Sequence, residues 1–183
     1  MESAVLDACV LIPSALSDTL LRMAESELYR PLWSADILDE VRRNMPLRLN
    51  EVAIARRVNA MRVHFPLAMV LGYQQLVRDM ACHPKDRHVL AVAVIAKADL
   101  IVTANLKDFP VHATAPFGIE AVHPDSFLCD LLDREPELVV SIIREQSADT
   151  GRAGRPHIPV AGVLRALRAS GVGVFASRLE AQA

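Results

Sequence analysis

Residues 83–105 read HPKDRHVLAVAVIAKADLIVTAN, and this stretch decides the fold class. Pro84 suits the first position of a helix and Asp86 its first turn, where a carboxylate complements the exposed N–H groups. Val89, Leu90, Val92, Val94 and Ile95 then make the helix apolar almost all round, so it belongs inside a fold rather than on its surface. After Lys97-Ala98-Asp99 comes Leu100-Ile101-Val102-Thr103, a short apolar run of strand length. A buried helix feeding directly into a buried strand is half of a βαβ unit, and such units build parallel sheets.

The same grammar extends in both directions. Upstream, Ala4-Val5-Leu6-Asp7 is a short buried strand that ends in a carboxylate. Leu16, Leu20, Met23 and Ala24 give a helical period over about residues 15–28. Ser34 is placed to cap a helix over residues 35–45 that Pro46 stops; Asn50 caps a second, over residues 51–65, that Pro66 ends. Residues 67–80 read as a loop with a short helix. Downstream, Asn105-Leu106-Lys107-Asp108 is a turn, residues 119–123 a further strand, and Pro124-Asp125 opens a helix over residues 126–132. Beyond Arg134 no strand signal remains: residues 136–150 read as a helix, 151–156 as a flexible basic link, and 159 onward as one or two helices hinged at Gly171 and Gly173. The fold class is therefore α/β with a short, mostly parallel sheet, followed by a helical C-terminal extension.

Composition narrows the function classes. With 183 residues, 52% of them hydrophobic, and a net charge of −2, the chain can offset its ordering entropy by burial, which excludes disorder as the dominant state. The longest uncharged apolar run, Val89 to Ala96, is far short of the roughly 20 residues a membrane span needs. No basic segment precedes the first apolar stretch and Asp7 interrupts it, so a signal peptide is not expected. Cys9, Cys82 and Cys129 lack paired spacing and read as reduced thiols of a cytoplasmic protein. Cys82, His83 and His88 have no second Cys/His pair to complete a zinc site. Although the pI is near 6.3, 17 of the 20 cations are Arg, the side chain suited to bidentate phosphate contacts. Six of them (Arg42, Arg43, Arg48, Arg56, Arg57, Arg62) fall between Glu40 and Phe65, and five (Arg152, Arg155, Arg165, Arg168, Arg178) follow Thr150. Such segments suit either solvated helix faces or a polyanion binder whose acids are gathered elsewhere.

Four acids are candidates for that gathering. In an open parallel sheet, functional groups collect at the carboxyl ends of strands. Asp7 closes the first strand, and Asp108 follows the strand that ends at Thr103. Glu40 lies nearer the apolar stripe Ile37, Leu38, Val41 and Met45 of its helix than Asp36 or Asp39 do. Asp86 opens the buried helix. Each has an ordinary alternative: a turn or helix cap for Asp7, a solvated helix edge for Glu40, a helix N-terminus for Asp86. Together, four carboxylates without matching buried cations would repel one another unless a metal held them, and oxygen-only ligands select Mg²⁺ or Mn²⁺.

Read in order, LDACVLI (6–12), LWSADILDEV (32–41), DRHVLAVA (86–93) and VTANLKDF (102–109) resemble the PIN-domain nucleases, and within them the VapC-like toxin ribonucleases of bacterial type II toxin–antitoxin pairs. The resemblance covers about residues 3–124. It implies a PIN-like α/β/α sandwich over residues 1–124, with residues 125–183 as an added helical segment. It further implies a metal-dependent endoribonuclease that leaves 5′-phosphate and 3′-hydroxyl ends, with an antitoxin partner and a homodimeric state. Asp7, Glu40 and Asp86 match the first three acids of the family. At the fourth position the family has Thr-x-Asp or Thr-x-Asn, so Asn105 and Asp108 are both carried, with Asp108 preferred as the acid and Asn105 as a neutral group. Thr103 would orient a carboxylate or a water at the metal, and Glu40 would be a base or an indirect ligand. Arg42, Arg43, Arg56 and Arg57 would hold RNA phosphates. Many relatives carry Asn where this chain has Cys9, which puts a polar contact beside the acids in question. No Gly-rich phosphate loop occurs, and the eight aromatic residues are scattered.

The alternative from a different class places function in the C-terminal segment. Val163, Leu164 and Leu167, a Gly turn, then Val174, Phe175 and Leu179 could form a helix-turn-helix that uses Arg165, Arg168 and Arg178 on nucleic acid. Such a regulator, or a non-catalytic PIN-like protein, would be indifferent to the acids.

Overall fold

The computed structural model describes residues 1–45, 51–151 and 156–182. Pro46 as a helix stop, Asn50 as a cap, Arg48, Arg152, Arg155 and most of the basic link fall outside them. The described residues group into two compact units, one of residues 1–12 and 29–122, the other of residues 13–28 and 123–183.

The first unit is built on four parallel strands, β1 (Ser3–Leu6), β2 (Arg30–Leu32), β3 (Leu100–Val102) and β4 (Glu120–Val122), in the order β2-β1-β3-β4. All four residues of β1 are buried, as expected for a central strand covered on both faces. Asp99 staples the start of β1 to the approach of β3 by accepting hydrogen bonds from the backbone N–H and the hydroxyl of Ser3, each at 2.8 Å. β2 is an element the sequence reading passed over. Its three residues, Arg30-Pro31-Leu32, carry no alternation, and the sheet registers Ser3, Ala4 and Val5 of β1 against them.

Short helix α1 (Ala8–Leu11) follows β1 at once, and α2 (Ser14–Glu25) belongs to the other unit. In α3 (Ala35–Asn44) the Ser34 side chain accepts from the Ile37 N–H, the cap read from the sequence, while Ile37, Leu38 and Val41 are buried. α4 spans Glu51–His64. The Pro84–Asp86 segment forms a 3-10 turn rather than the first turn of the helix proper, so α5 begins at Arg87 and runs to Ala96. It packs against β1 and β3. Val89 to Ala93 are fully buried, whereas Ile95 is exposed. Lys97 closes α5 in the left-handed conformation, and the Ala98 N–H returns to the Ala93 carbonyl. Another short helix, α6 (Val111–Thr114), packs near β4.

The second unit is all helix: α2, α7 (Pro124–Arg134), α8 (Pro136–Ala148), α9 (Val160–Ala169) and α10 (Gly173–Glu180). α2 packs on α8 and α9. A buried polar link ties α2 to α8: Thr19 donates to the Gln146 side chain at 2.7 Å, and the Gln146 amide donates to the Ala15 carbonyl at 3.1 Å. Gly171, at φ +90°, turns the chain between α9 and α10. Val163, Leu164, Leu167, Val172, Phe175, Ala176 and Leu179 are all buried in that turn-linked pair. Among the described residues, no helix is long and apolar enough to cross a membrane, and the three cysteines are free thiols.

Candidate active site

β1 lies between β2 and β3, so the connections leaving it diverge to either side, and its carboxyl end is the crevice position of an open α/β sheet. The register sets Leu6 against Val102, which brings the next residues, Asp7 and Thr103, side by side. Thr103 is fully buried, and its hydroxyl donates to Asp7 Oδ2 at 2.7 Å. The backbone N–H of Asn105 donates to the same hydroxyl at 3.0 Å, which fixes its direction. Asp7 stands at the N-cap position of α1 without a side-chain cap hydrogen bond, so capping does not account for its burial.

Cys9 completes this corner. Its thiol donates to Asp7 Oδ2 at 3.2 Å, and the Ala104 N–H donates to its sulfur at 3.3 Å. Burial, followed by the nearby Asp7 charge, pushes the thiol up to about 12, so it stays protonated and serves as a donor. The polar contact that the departure from Asn put in question is therefore made by sulfur.

Asp86 and Asp108 come from two adjoining 3-10 turns, Pro84–Asp86 and Leu106–Asp108. Both are buried. His83 joins them, with one ligand atom from each of His83, Asp86 and Asp108 within 4.8 Å of the others. The Asp86 side chain makes no cap hydrogen bond at the start of α5, and its Oδ2 is buried without a hydrogen-bond partner. Burial foremost, with the charges of Asp7 and Asp108 adding, holds its carboxyl above the usual range, although Lys85 and His83 act in the opposite direction. Asp86 stands at the N-cap position of α5 but caps none of its N–H groups, so capping does not account for its burial.

Glu40 sits apart from this cluster. It is half-buried on α3 while Asp36 and Asp39 are exposed, and its Oε2 lies 3.6 Å from His88 Nε2 on α5. The two line an open groove with Asp36, Arg43, Asn44 and Lys85. Because Lys85 precedes Asp86, groove and acid cluster share one turn. Arg42 and Arg56 are exposed on α3 and α4. Arg57 is engaged differently: its guanidinium donates to the Leu11 carbonyl at 2.7 Å and points a second nitrogen at the Ile12 carbonyl, 3.5 Å away, holding the end of α1.

The donor set fits a hard divalent cation. Asp86 and Asp108 lie within ion-sharing reach of each other, while Asp7 stands outside that group but close enough for its charge to act on Asp86. Neutral hydroxyl and thiol donors orient Asp7, and the buried Oδ2 of Asp86 has no hydrogen-bond partner. Sequence reasoning named the acids and Thr103, weighed His83 and His88 only as an incomplete zinc set, left the Cys9 contact in question, and passed over Lys85. The available signal was the run 83–88 itself, which carries two His, a Lys and an Asp before an apolar helix.

In the helical unit, the arginines of the helix-turn-helix alternative are largely engaged. Arg168 pairs with Glu180 and Arg178 with Asp133. The N-terminus of α10 is filled by the Asp125 carboxylate, which accepts from the N–H groups of Val174 and Phe175 at 3.1 and 2.8 Å.

Comparison with known proteins bears on the family of the chain. The PIN domain family model matches residues 3–107, more than half of the chain. The chain belongs to the PIN-domain family. A second family model, the VapC50 C-terminal domain, matches residues 124–181. The chain is 50% identical over 76 residues to a Mycobacterium tuberculosis protein described as "Putative ribonuclease VapC50"; that stretch is 42% of this chain and 45% of the relative, so the match spans about half the relative's length. No solved structure matches the chain. Asp7, Glu40, Asp86, Thr103 and Asn105 lie inside the PIN match, and Asp108 falls just beyond its end.

Proposed function

We propose that the protein is a divalent-metal-dependent endoribonuclease, the toxin of a toxin–antitoxin pair, that hydrolyses RNA phosphodiester bonds to 5′-phosphate and 3′-hydroxyl products. The observation that carries the reading is the partnerless, buried Oδ2 of Asp86 beside a second buried carboxylate, an arrangement costly to fold unless a cation compensates it. Membership of the PIN-domain family and the resemblance to a protein named as a ribonuclease support the same reading.

In this reading Asp7, Asp86 and Asp108 hold Mg²⁺ or Mn²⁺, with Glu40 reaching the site through a bound water or acting as base from the groove. Such an ion, when bound, polarises a scissile phosphate and lowers the pKa of a water that attacks in line. Thr103 and Cys9 keep Asp7 in one orientation, and Asn105 contributes its backbone N–H to Thr103. Arg43 and Lys85 in the groove, with exposed Arg42 and Arg56, hold RNA phosphates, while Arg57 serves α1 instead. A cognate antitoxin, a homodimeric state and a cytoplasmic location complete the proposal.

The test is cleavage of a mixed structured-RNA pool by the purified full chain with Mg²⁺, Mn²⁺ or EDTA, beside Asp7→Asn and Asp86→Asn. Cutting that needs the ion and disappears in both variants is the expected result. Cutting that survives EDTA, or persists in either variant, would overturn the assignment of this site.

A further inference from the structure

The residue that the acid set does not account for is His83. It precedes the Pro84–Asp86 turn, and the Asp86 N–H returns to the His83 carbonyl at 2.9 Å, so their side chains leave the same side of that turn. Its own N–H donates to the Asp108 carbonyl at 3.1 Å, which ties this turn to the one carrying Asp108. Backbone hydrogen bonds in two segments thus hold one imidazole and two carboxylates together. His83 Nδ1 lies 3.5 Å from Asp86 Oδ2. That is too long for a hydrogen bond, and Oδ2 has no hydrogen-bond partner although Asp86 is 4% exposed. Neighbouring donors on an octahedral ion at bond lengths of about 2.1 Å lie about 3 Å apart, so this gap needs to close by only about half an ångström for both to reach one ion. His83 is also half exposed, 49% at its side chain, so an ion can reach it from solvent.

Resting on the metal site proposed above, we infer that His83 supplies Nδ1 to the same ion as Asp86 and Asp108, and that this nitrogen tilts the site towards Mn²⁺ over Mg²⁺. Carboxylate oxygens alone suit Mg²⁺, a hard ion that keeps its waters, whereas imidazole donors add affinity for first-row transition ions.

The experiment uses the full chain loaded with Mn²⁺, read by pulsed electron paramagnetic resonance for coupling to a ligand nitrogen, with Mn²⁺ and Mg²⁺ affinities measured by calorimetry. The variants are His83→Ala, His88→Ala and Asp86→Asn, with circular dichroism to confirm that each folds. Wild type and His88→Ala are expected to show directly coordinated nitrogen. His83→Ala is expected to lose that signal and about tenfold in Mn²⁺ affinity, with Mg²⁺ affinity almost unchanged. Mn²⁺ bound without nitrogen coupling, or a coupling that survives His83→Ala, would overturn the inference while leaving the acidic site standing. Ion binding indifferent to Asp86→Asn would overturn the acidic site and this inference together.

Discussion

Asp86 shows how a functional residue works against the fold that carries it. Its carboxylate is buried against Asp108 and within the field of Asp7, and without an ion its Oδ2 has no partner. Replacing it by Asn removes a charge and supplies an amide that can donate to Asp108. In EDTA, Asp86→Asn should therefore stabilise the protein, by about 1 kcal/mol or about 2–4 °C in Tm for a chain of this size. The pH sign follows from the upward shift. A carboxyl raised by folding contributes stability that is full below its ordinary value of about 4 and is lost as pH rises through the raised value. Wild type in EDTA should lose that contribution across this interval, and Asp86→Asn should not. Thermal melts from pH 4 to 8, with EDTA and then Mn²⁺, measure both effects. A variant less stable than wild type in EDTA would mean that the buried carboxylate is a structural group. At this scale the sequence was informative where a residue sits at a strand end or opens a buried helix, as Asp7, Asp86 and Thr103 do. It set His83 aside with an incomplete zinc set, because the place of His83 beside Asp108 depends on a hydrogen bond to a turn some 25 positions further along the chain.

Elements explain why one basic cluster divides into two roles. Arg56 and Arg57 are neighbours on α4, yet successive helix positions point about 100° apart. Arg56 is exposed, and Arg57 reaches the Leu11 carbonyl at the end of α1, the helix that Asp7 precedes. Composition could count these arginines but could not sort them, because the sorting depends on where α4 crosses α1. Arg57→Ala should cost about 2 kcal/mol in urea unfolding, the range for a hydrogen bond to a charged group. Arg56→Ala should stay within about 0.5 kcal/mol and should flatten the salt dependence of RNA binding by about one ion, which Arg57→Ala should not do directly. Equal effects of the two on stability would show that the Arg57 contact contributes nothing. The elements themselves were legible in proportion to their length and punctuation: Ser34 marked α3, and the apolar run marked α5. β2 and α1, three and four residues long, are made by the sheet and by Asp7's turn rather than by any local period.

At the scale of the whole chain, the compact units are not contiguous in sequence. A boundary near residue 124 suggests an independent N-terminal nuclease domain, and a family match that begins at 124 points to the same place. The compact units, however, assign residues 13–28 to the helical unit, although they lie between β1 and β2 in sequence. α2 buries Leu16, Leu20 and Met23, and its partners are α8 and α9. Its buried Thr19 hydroxyl bonds to Gln146, and Arg22 pairs with Asp149 at 2.9 Å. A fragment ending at Pro124 would keep α2 while losing every one of those partners. It would expose three large apolar side chains, each worth about 1.5–3 kcal/mol when fully buried. We expect residues 1–124 alone to bind a hydrophobic dye, to aggregate, or to unfold well below the full chain. A fragment with Leu16, Leu20 and Met23 replaced by Glu, Lys and Gln should recover solubility, because those side chains would no longer have a core to fill. Analytical centrifugation and near-ultraviolet circular dichroism of the two fragments decide the matter. If the unmodified fragment is monomeric and natively packed, the helical unit is an appendage; if only the substituted one is, the second unit is a structural partner that the chain recruits from within its first crossover.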